Sequence, residues 1–276
     1  MNYEAIRPMF EAFVINRPTA TGVVQWMLNS PWPEFYWQLY DYYLMPTGAY
    51  YGTKKASQPV NIIYDYHNHT VHLSNDTRAA LQGVSAEVRL FNKDSKQVFS
   101  QTEKVTLGEN STKKWLNVPA LSGKNEVYFL DLKLKNSKGE VIADNFYWLA
   151  SQKDQLDWSK YFWFYTPQKQ YADFSGLNTL PKAELKAEKS VKELKAGEFE
   201  ITLKLTNTTD KLAFFVEAEL TDGKDAVTPV FWSDNYVSIP PKESKTITVK
   251  YNKKNLKGGS PAIKLQGYNL SKPMTL

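Results

Sequence analysis

Trp26, Asn29 and Trp32 fall within seven residues of one another, in the run Gly22-Val-Val-Gln-Trp-Met-Leu-Asn-Ser-Pro-Trp-Pro33. A sugar presents apolar C–H faces that stack on aromatic rings and hydroxyls that need hydrogen-bond partners, so two indoles beside a side-chain amide suit one. Two tryptophans near a strand end also fit an ordinary core. The nearby acids are Glu4, Glu11, Glu34 and Asp41. Glu4 and Glu11 fall on a helix, where a solvated face is expected. Asp41 lies in an aromatic loop, where a structural hydrogen bond is expected. None is paired with another at a strand end, as acid–base chemistry would require. His67, His69 and His72 are close together, but a tetrahedral metal site needs more ligands, and a polar hairpin tip explains them better. Cysteine is absent, which removes disulfides, thiolate metal sites and a thiol nucleophile. Lys257-Gly-Gly-Ser260 is a turn before Pro261, and no Gly-x-Ser-x-Gly elbow occurs.

The elements that would position these residues come in two textures. Ile6, Met9, Phe10, Phe13 and Val14 have helical spacing over 3–15, ended by Asn16-Arg17-Pro18. A short apolar run at 22–28 reads as a strand buried on both faces. A loop covers 31–45, and a second helix covers 49–56. Helix, buried strand and helix cannot close a sheet alone.

From Val60 the pattern becomes alternating strands: 60–66, 70–73, 85–91, 96–107, 114–118, 127–134 and 141–149. Their number and spacing predict an immunoglobulin-like sandwich without the Cys-Trp-Cys signature. Residues 151–180 are an aromatic joint expected to pack between domains. Seven further strands from 182 to 268 predict a second sandwich, in which Phe199, Ile201, Leu203 and Leu205 alternate with polar residues. No residue-level repeat links the two. The expected division is 1–57, 58–150, 151–180 and 181–276. The class is mainly β: two immunoglobulin-like β-sandwich domains preceded by a helix-strand-helix remnant of a (β/α) barrel.

The net charge of +5 comes from interleaved lysines and glutamates rather than a basic stripe, which argues against nucleic acid. No run approaches the ~18 apolar residues of a membrane span. Asn-x-Ser/Thr triplets start at Asn68, Asn75, Asn110, Asn207 and Asn269, and are expected to be coincidental. Trp115 and Trp232 could be sugar platforms, although burial between sheets is the commoner fate of a strand tryptophan.

Tyr3-Glu-Ala-Ile-Arg-Pro-Met-Phe-Glu-Ala-Phe13, Gly22-Val-Val-Gln-Trp-Met-Leu-Asn29, Trp32-Pro33, Tyr36-Trp-Gln-Leu-Tyr-Asp-Tyr-Tyr43 and Gly48-Ala-Tyr-Tyr-Gly-Thr-Lys-Lys-Ala56 resemble the end of the catalytic barrel in glycoside hydrolase family 2. The exo-β-D-glucosaminidase branch is most similar, with β-mannosidases as near relatives. The resemblance continues through Asn145-Phe-Tyr-Trp-Leu149, Trp163-Phe-Tyr-Thr-Pro167 and Tyr171-Ala-Asp-Phe-Ser-Gly-Leu-Asn-Thr-Leu-Pro181.

It implies a C-terminal scaffold that completes a barrel located elsewhere in a periplasmic or secreted parent. Trp26 would floor the pocket for the terminal sugar, with Asn29 and Trp32 beside it. The implied ligand is an amino-sugar or manno-oligosaccharide. Both glutamates of the retaining mechanism would lie upstream, so no catalytic residue, metal or cofactor is assigned here and the isolated chain is expected to be inactive. A stand-alone carbohydrate-binding or adhesion module of two sandwiches is the rival. Without the rest of a barrel, residues 1–57 are expected to fold back on the first sandwich or to form a homo-oligomer.

Overall fold

The computed structural model describes residues 2–34, 37–123 and 126–276, and Tyr36 of the quoted motif lies outside them. The chain forms two compact units, one from residues 1–58 and 182–276, the other from 59–181. Helix α1 (Asn2–Ile15) and helix α2 (Gly48–Ala56) therefore belong with the second sandwich and not, as expected, with the first.

In the 59–181 unit, β1 (Val60–Asp65), β2 (Thr70–Asn75), β3 (Leu81–Asn92), β4 (Gln97–Leu107), β5 (Ser111–Asn117), β6 (Val127–Lys135) and β7 (Val141–Ala150) form two antiparallel sheets. Their orders are β1-β2-β5 and β4-β3-β6-β7. The period-2 alternation turns Val84, Ala86, Val88 and Leu90 of β3, with Leu130, Leu132 and Leu134 of β6, into a core shared with Ile62, Val71 and Leu73. Inside, Asn145 Nδ2 donates to Asn61 Oδ1 and to the Ile62 carbonyl, both at 2.8 Å. Two short strands, β8 (Gln155–Leu156) and β9 (Gln168–Gln170), pair beyond β7.

In the other unit, β10 (Leu185–Lys195), β11 (Glu198–Asn207), β12 (Ala213–Thr221), β13 (Phe231–Trp232), β14 (Val237–Ile239), β15 (Ser244–Asn252), β16 (Ala262–Gly267) and β17 (Met274–Thr275) form sheets of order β10-β11-β15-β13 and β14-β12-β16-β17. Ile201, Leu203 and Leu205 are buried, as their alternation requires.

The sandwiches share a device that hydrophobic periodicity does not reveal. Asn75 donates to the carbonyls of Ala79 and Gly108 while its oxygen accepts from the Thr77 backbone and hydroxyl. Asn207 does the same with Lys211, Ile239 and Thr209. Both amides are buried, so these two triplets are turn locks rather than glycan acceptors; Asn269 is buried too, donating to the Leu212 carbonyl and accepting from Phe214 N. Trp232 is buried, and Trp115 packs partly against the core with its indole N–H on Glu103.

Candidate functional site

The segment carrying Trp26, Asn29 and Trp32 is held at both ends by the helix pair. Glycines let α2 approach α1 closely: a Cβ at Gly52 would lie 2.7 Å from the Tyr3 carbonyl oxygen, and one at Gly48 would lie 3.2 Å from the Tyr3 nitrogen. The pair rests on the adjoining sandwich. Lys55 Nζ meets Asp234 Oδ2 at 2.9 Å, and Lys54 Nζ donates to the Trp232 carbonyl at 2.7 Å. The Tyr51 and Tyr3 rings meet Tyr236 and Phe215 edge-on at 5.7 and 5.8 Å.

The buried face of α1 differs from expectation. Met9 is exposed, whereas Arg7 and Glu11 are buried together with Tyr3, Ile6 and Val14. Arg7 lies against Glu4 and, at 3.8 Å, Glu11. Glu11 is thus not on a solvated face. Burial of each charge is tolerated because the other neutralises it.

Between the helices the expected strand at 22–28 is not paired. The chain runs without regular structure or ladder partners, bending at Trp26 and Leu28, until an isolated parallel bridge joins Asn29 to Tyr40, with Tyr40 N donating to the Leu28 carbonyl at 2.9 Å. Among the described residues, no strand pairs with 22–28. Its apolar side chains face water: Val24 is 91% exposed, Trp26 74% and Leu28 59%. The Trp26–Met27 peptide is cis.

Trp32 is exposed but oriented. Glu34 accepts from Ser30 Oγ at 2.6 Å, from Trp32 Nε1 at 3.2 Å and from Gln38 Nε2 at 3.1 Å. With its N–H committed, the indole keeps an open face. This carboxylate network escaped the sequence pass, although the i, i+4 spacing of Ser30, Glu34 and Gln38 was visible. Asp41 is structural: its Oδ1 accepts from Met45 N at 2.9 Å and closes the turn before α2. Ser30, Glu34, Gln38, Tyr40, Asp41 and Tyr43 are among the residues around a cleft of about 410 Å³. Burial and the neighbouring Tyr50 push the Tyr40 phenol up to about 12, so it stays protonated at neutral pH. Asn29 joins this segment through Tyr40, Trp32 through Glu34. Trp26 stands on the exposed stretch before both.

Among the described residues, no group of three or more His, Cys, Asp and Glu side chains could hold a metal. Among the described residues, no helix is long and apolar enough to cross a membrane. His67 and His69 lie in the turn between β1 and β2, and His72 lies within β2; His69 has positive φ and its Nδ1 lies 2.7 Å from Tyr64 Oη. In the 151–180 segment, Phe162 and Tyr165 exchange backbone hydrogen bonds around Trp163 and Phe164. These rings pack edge-on at 4.7 Å and are exposed, Trp163 by 74%.

Residues 163–270 match the exo-β-D-glucosaminidase Ig-fold domain, and residues 67–154 match the mannosidase Ig/CBM-like domain. The chain is 38% identical to an exo-β-D-glucosaminidase from Amycolatopsis orientalis, aligning over 97% of its own length and 27% of that protein's. It is 36% identical to one from Arthroderma benhamiae, over 99% and 31%. The crystal structure of an Amycolatopsis orientalis exo-chitosanase superposes with a TM-score of 0.93 at 36% identity, covering all of this chain and 33% of that one. A β-D-mannosidase from Dictyoglomus thermophilum shares the fold, with a TM-score of 0.67 at 23% identity over 98% of this chain and 29% of that one. The chain spans about a third of the length of the relatives it matches. Over its whole length the chain matches the C-terminal Ig-like portion of the exo-β-D-glucosaminidases of glycoside hydrolase family 2.

Proposed function

We propose that the chain serves, within a longer parent enzyme, as the scaffold that sets the last stave of a catalytic barrel and lends Trp26, Asn29 and Trp32 to the pocket for a terminal amino sugar. The observation that carries this is the unpaired 22–28 segment. It is pinned at both ends by helices docked on a sandwich, yet it exposes a row of apolar side chains suited to burial. Such a row costs roughly 25 cal/mol for each Å² of apolar surface left in water, so it fits a missing neighbour better than solvent.

The chemistry itself belongs upstream. A retaining glycosidase needs two carboxyl groups about 5–5.5 Å apart. Of the acids near the segment, Glu4 and Glu11 serve Arg7, Glu34 serves its loop, and Asp41 serves a turn.

The isolated chain should therefore not hydrolyse p-nitrophenyl β-D-glucosaminide. In the full-length parent, Trp26→Ala should lower kcat/KM on that substrate at least tenfold without lowering the melting temperature. Hydrolysis by the isolated chain, or an unaltered kcat/KM in Trp26→Ala, would overturn the proposal. Assaying the parent on the β-mannoside as well distinguishes the two relatives. Micromolar binding of glucosamine oligomers to the isolated chain would favour a stand-alone module. A second copy is the other partner able to cover 22–28, and sedimentation tests for it.

A further inference from the structure

A second recess lies in the 59–181 unit, where Tyr64, Tyr66, Trp148 and Phe174 surround a cavity of about 200 Å³ with His69, Lys153 and Asp154 at its polar side. Its rim is fixed by hydrogen bonds. The chain beyond β9 is tied back over the end of β7: Gln152 Nε2 donates to the Tyr171 carbonyl at 2.9 Å, Gln170 Nε2 to the Lys153 carbonyl at 2.7 Å, and Ala172 N to Asp154 Oδ1 at 2.9 Å. The wall carrying Ala172 and Phe174 is thereby held in place.

The proton positions inside follow from the donor inventory. Lys153 Nζ contacts His69 Nε2, and an ammonium can only donate. Nε2 must then accept, so the ring proton sits on Nδ1 and is given to the Tyr64 oxygen, 2.7 Å away. Burial, followed by the Lys153 charge, holds His69 below its ordinary range and keeps the ring neutral. Tyr64 accepts from the imidazole, so its own O–H proton is still available to donate, and burial pushes this phenol up so that the proton stays on. The second oxygen of Asp154 supplies an acceptor.

We propose that this recess is a binding site for a single neutral pyranose ring, distinct from the segment at 20–46, with Trp148 and Phe174 against its C–H faces and Tyr64 and Asp154 on its hydroxyls. At ~30 Å³ per water the cavity holds about seven waters, enough for one six-membered sugar and too small for two. A purely apolar ligand would leave the phenol donor unpaired. Lys153 and Asp154, of opposite charge, share the rim, so it favours neither an anion nor a cation.

The test uses the full chain titrated with methyl β-D-glucopyranoside, followed by saturation-transfer NMR and calorimetry. Saturable millimolar binding is expected. It should weaken at least tenfold in Phe174→Ala and in Asp154→Asn, which keeps the acceptor for Ala172 N, and stay unchanged in Phe231→Ala, an exposed ring of the other unit, with circular dichroism confirming that all three fold. The site is refuted if no saturable binding occurs, or if Phe174→Ala and Asp154→Asn bind as the parent chain does. Loss in Trp26→Ala alone would place the sugar on the 20–46 segment and also refute it. The scaffold proposal survives each of these results.

Discussion

Gly52→Ala tests whether α1 and α2 really dock through the close approach seen here. Alanine gains up to about 1 kcal/mol over glycine inside a helix, so on propensity alone the variant should be more stable. The added methyl, however, would sit 2.7 Å from the Tyr3 carbonyl oxygen and 3.3 Å from Arg7 Cβ. The first neighbour is backbone and can retreat only if α1 shifts, taking the buried Arg7 with it. Overpacking of this kind costs roughly 1–3 kcal/mol, and more where a rigid partner must move. The balance is a net loss of about 1–2 kcal/mol, or roughly 2–8 °C in melting temperature for a unit of this size. Thermal unfolding followed by circular dichroism, with amide exchange resolved over α1, reads both effects. Gly22→Ala is the control, since nothing lies within 4 Å of its added methyl; it should leave stability unchanged or slightly raised. A Gly52→Ala protein that melts at or above the parent temperature, with α1 amides equally protected, would refute the docking argument.

Three further expectations follow from the same contacts. Asp234→Asn removes the charge that Lys55 and Lys245 meet at 2.9 and 3.3 Å; the half-buried pairing should be worth about 1–3 kcal/mol, seen as faster proteolysis between residues 16 and 47. Glu34→Ala frees Ser30, Trp32 and Gln38 at once, so time-resolved fluorescence anisotropy should report a more mobile Trp32. Acid should destabilise the 59–181 unit in two stages. His69 and His72 are lowered from 6.5 on folding, chiefly by burial, so the unfolded chain takes up protons first and stability falls as pH drops below about 6.5. Burial opposes a lowered Asp65, but hydrogen bonds from Asn68 and His67 outweigh it. Its contribution is present above 3.8 and disappears as pH falls through the lower folded value. His69→Gln should flatten the first stage in pH-dependent denaturant titrations.

Both helices and the long strands were legible because a period of 3.6 or 2 records which face is buried. The 81–92 and 198–207 strands show this most clearly, with ends within a few residues of expectation. The 22–28 run reads as a buried strand, yet the structure leaves it exposed and unpaired, because apolar composition alone carries no record of what lies against it. Hydrophobic periodicity likewise pointed to Met9 and passed over Arg7 and Glu11. A charge buried by its own counter-charge leaves no trace in an apolar pattern. The Glu34 network and the paired Asn75 and Asn207 turns rest on particular side-chain hydrogen bonds, which spacing suggests only in retrospect.

The unit built from residues 1–58 and 182–276 is interrupted by the whole of 59–181, and this orders events on the ribosome. The helix pair emerges before the surface that receives it, which follows roughly ten to forty seconds later at about 5–20 residues per second. The intervening unit has its own core and can form during the wait. Through that interval Tyr3, Ile6 and Tyr51 have no sandwich to cover them, so the nascent chain carries a greasy stretch that slower synthesis would prolong and a chaperone would shelter.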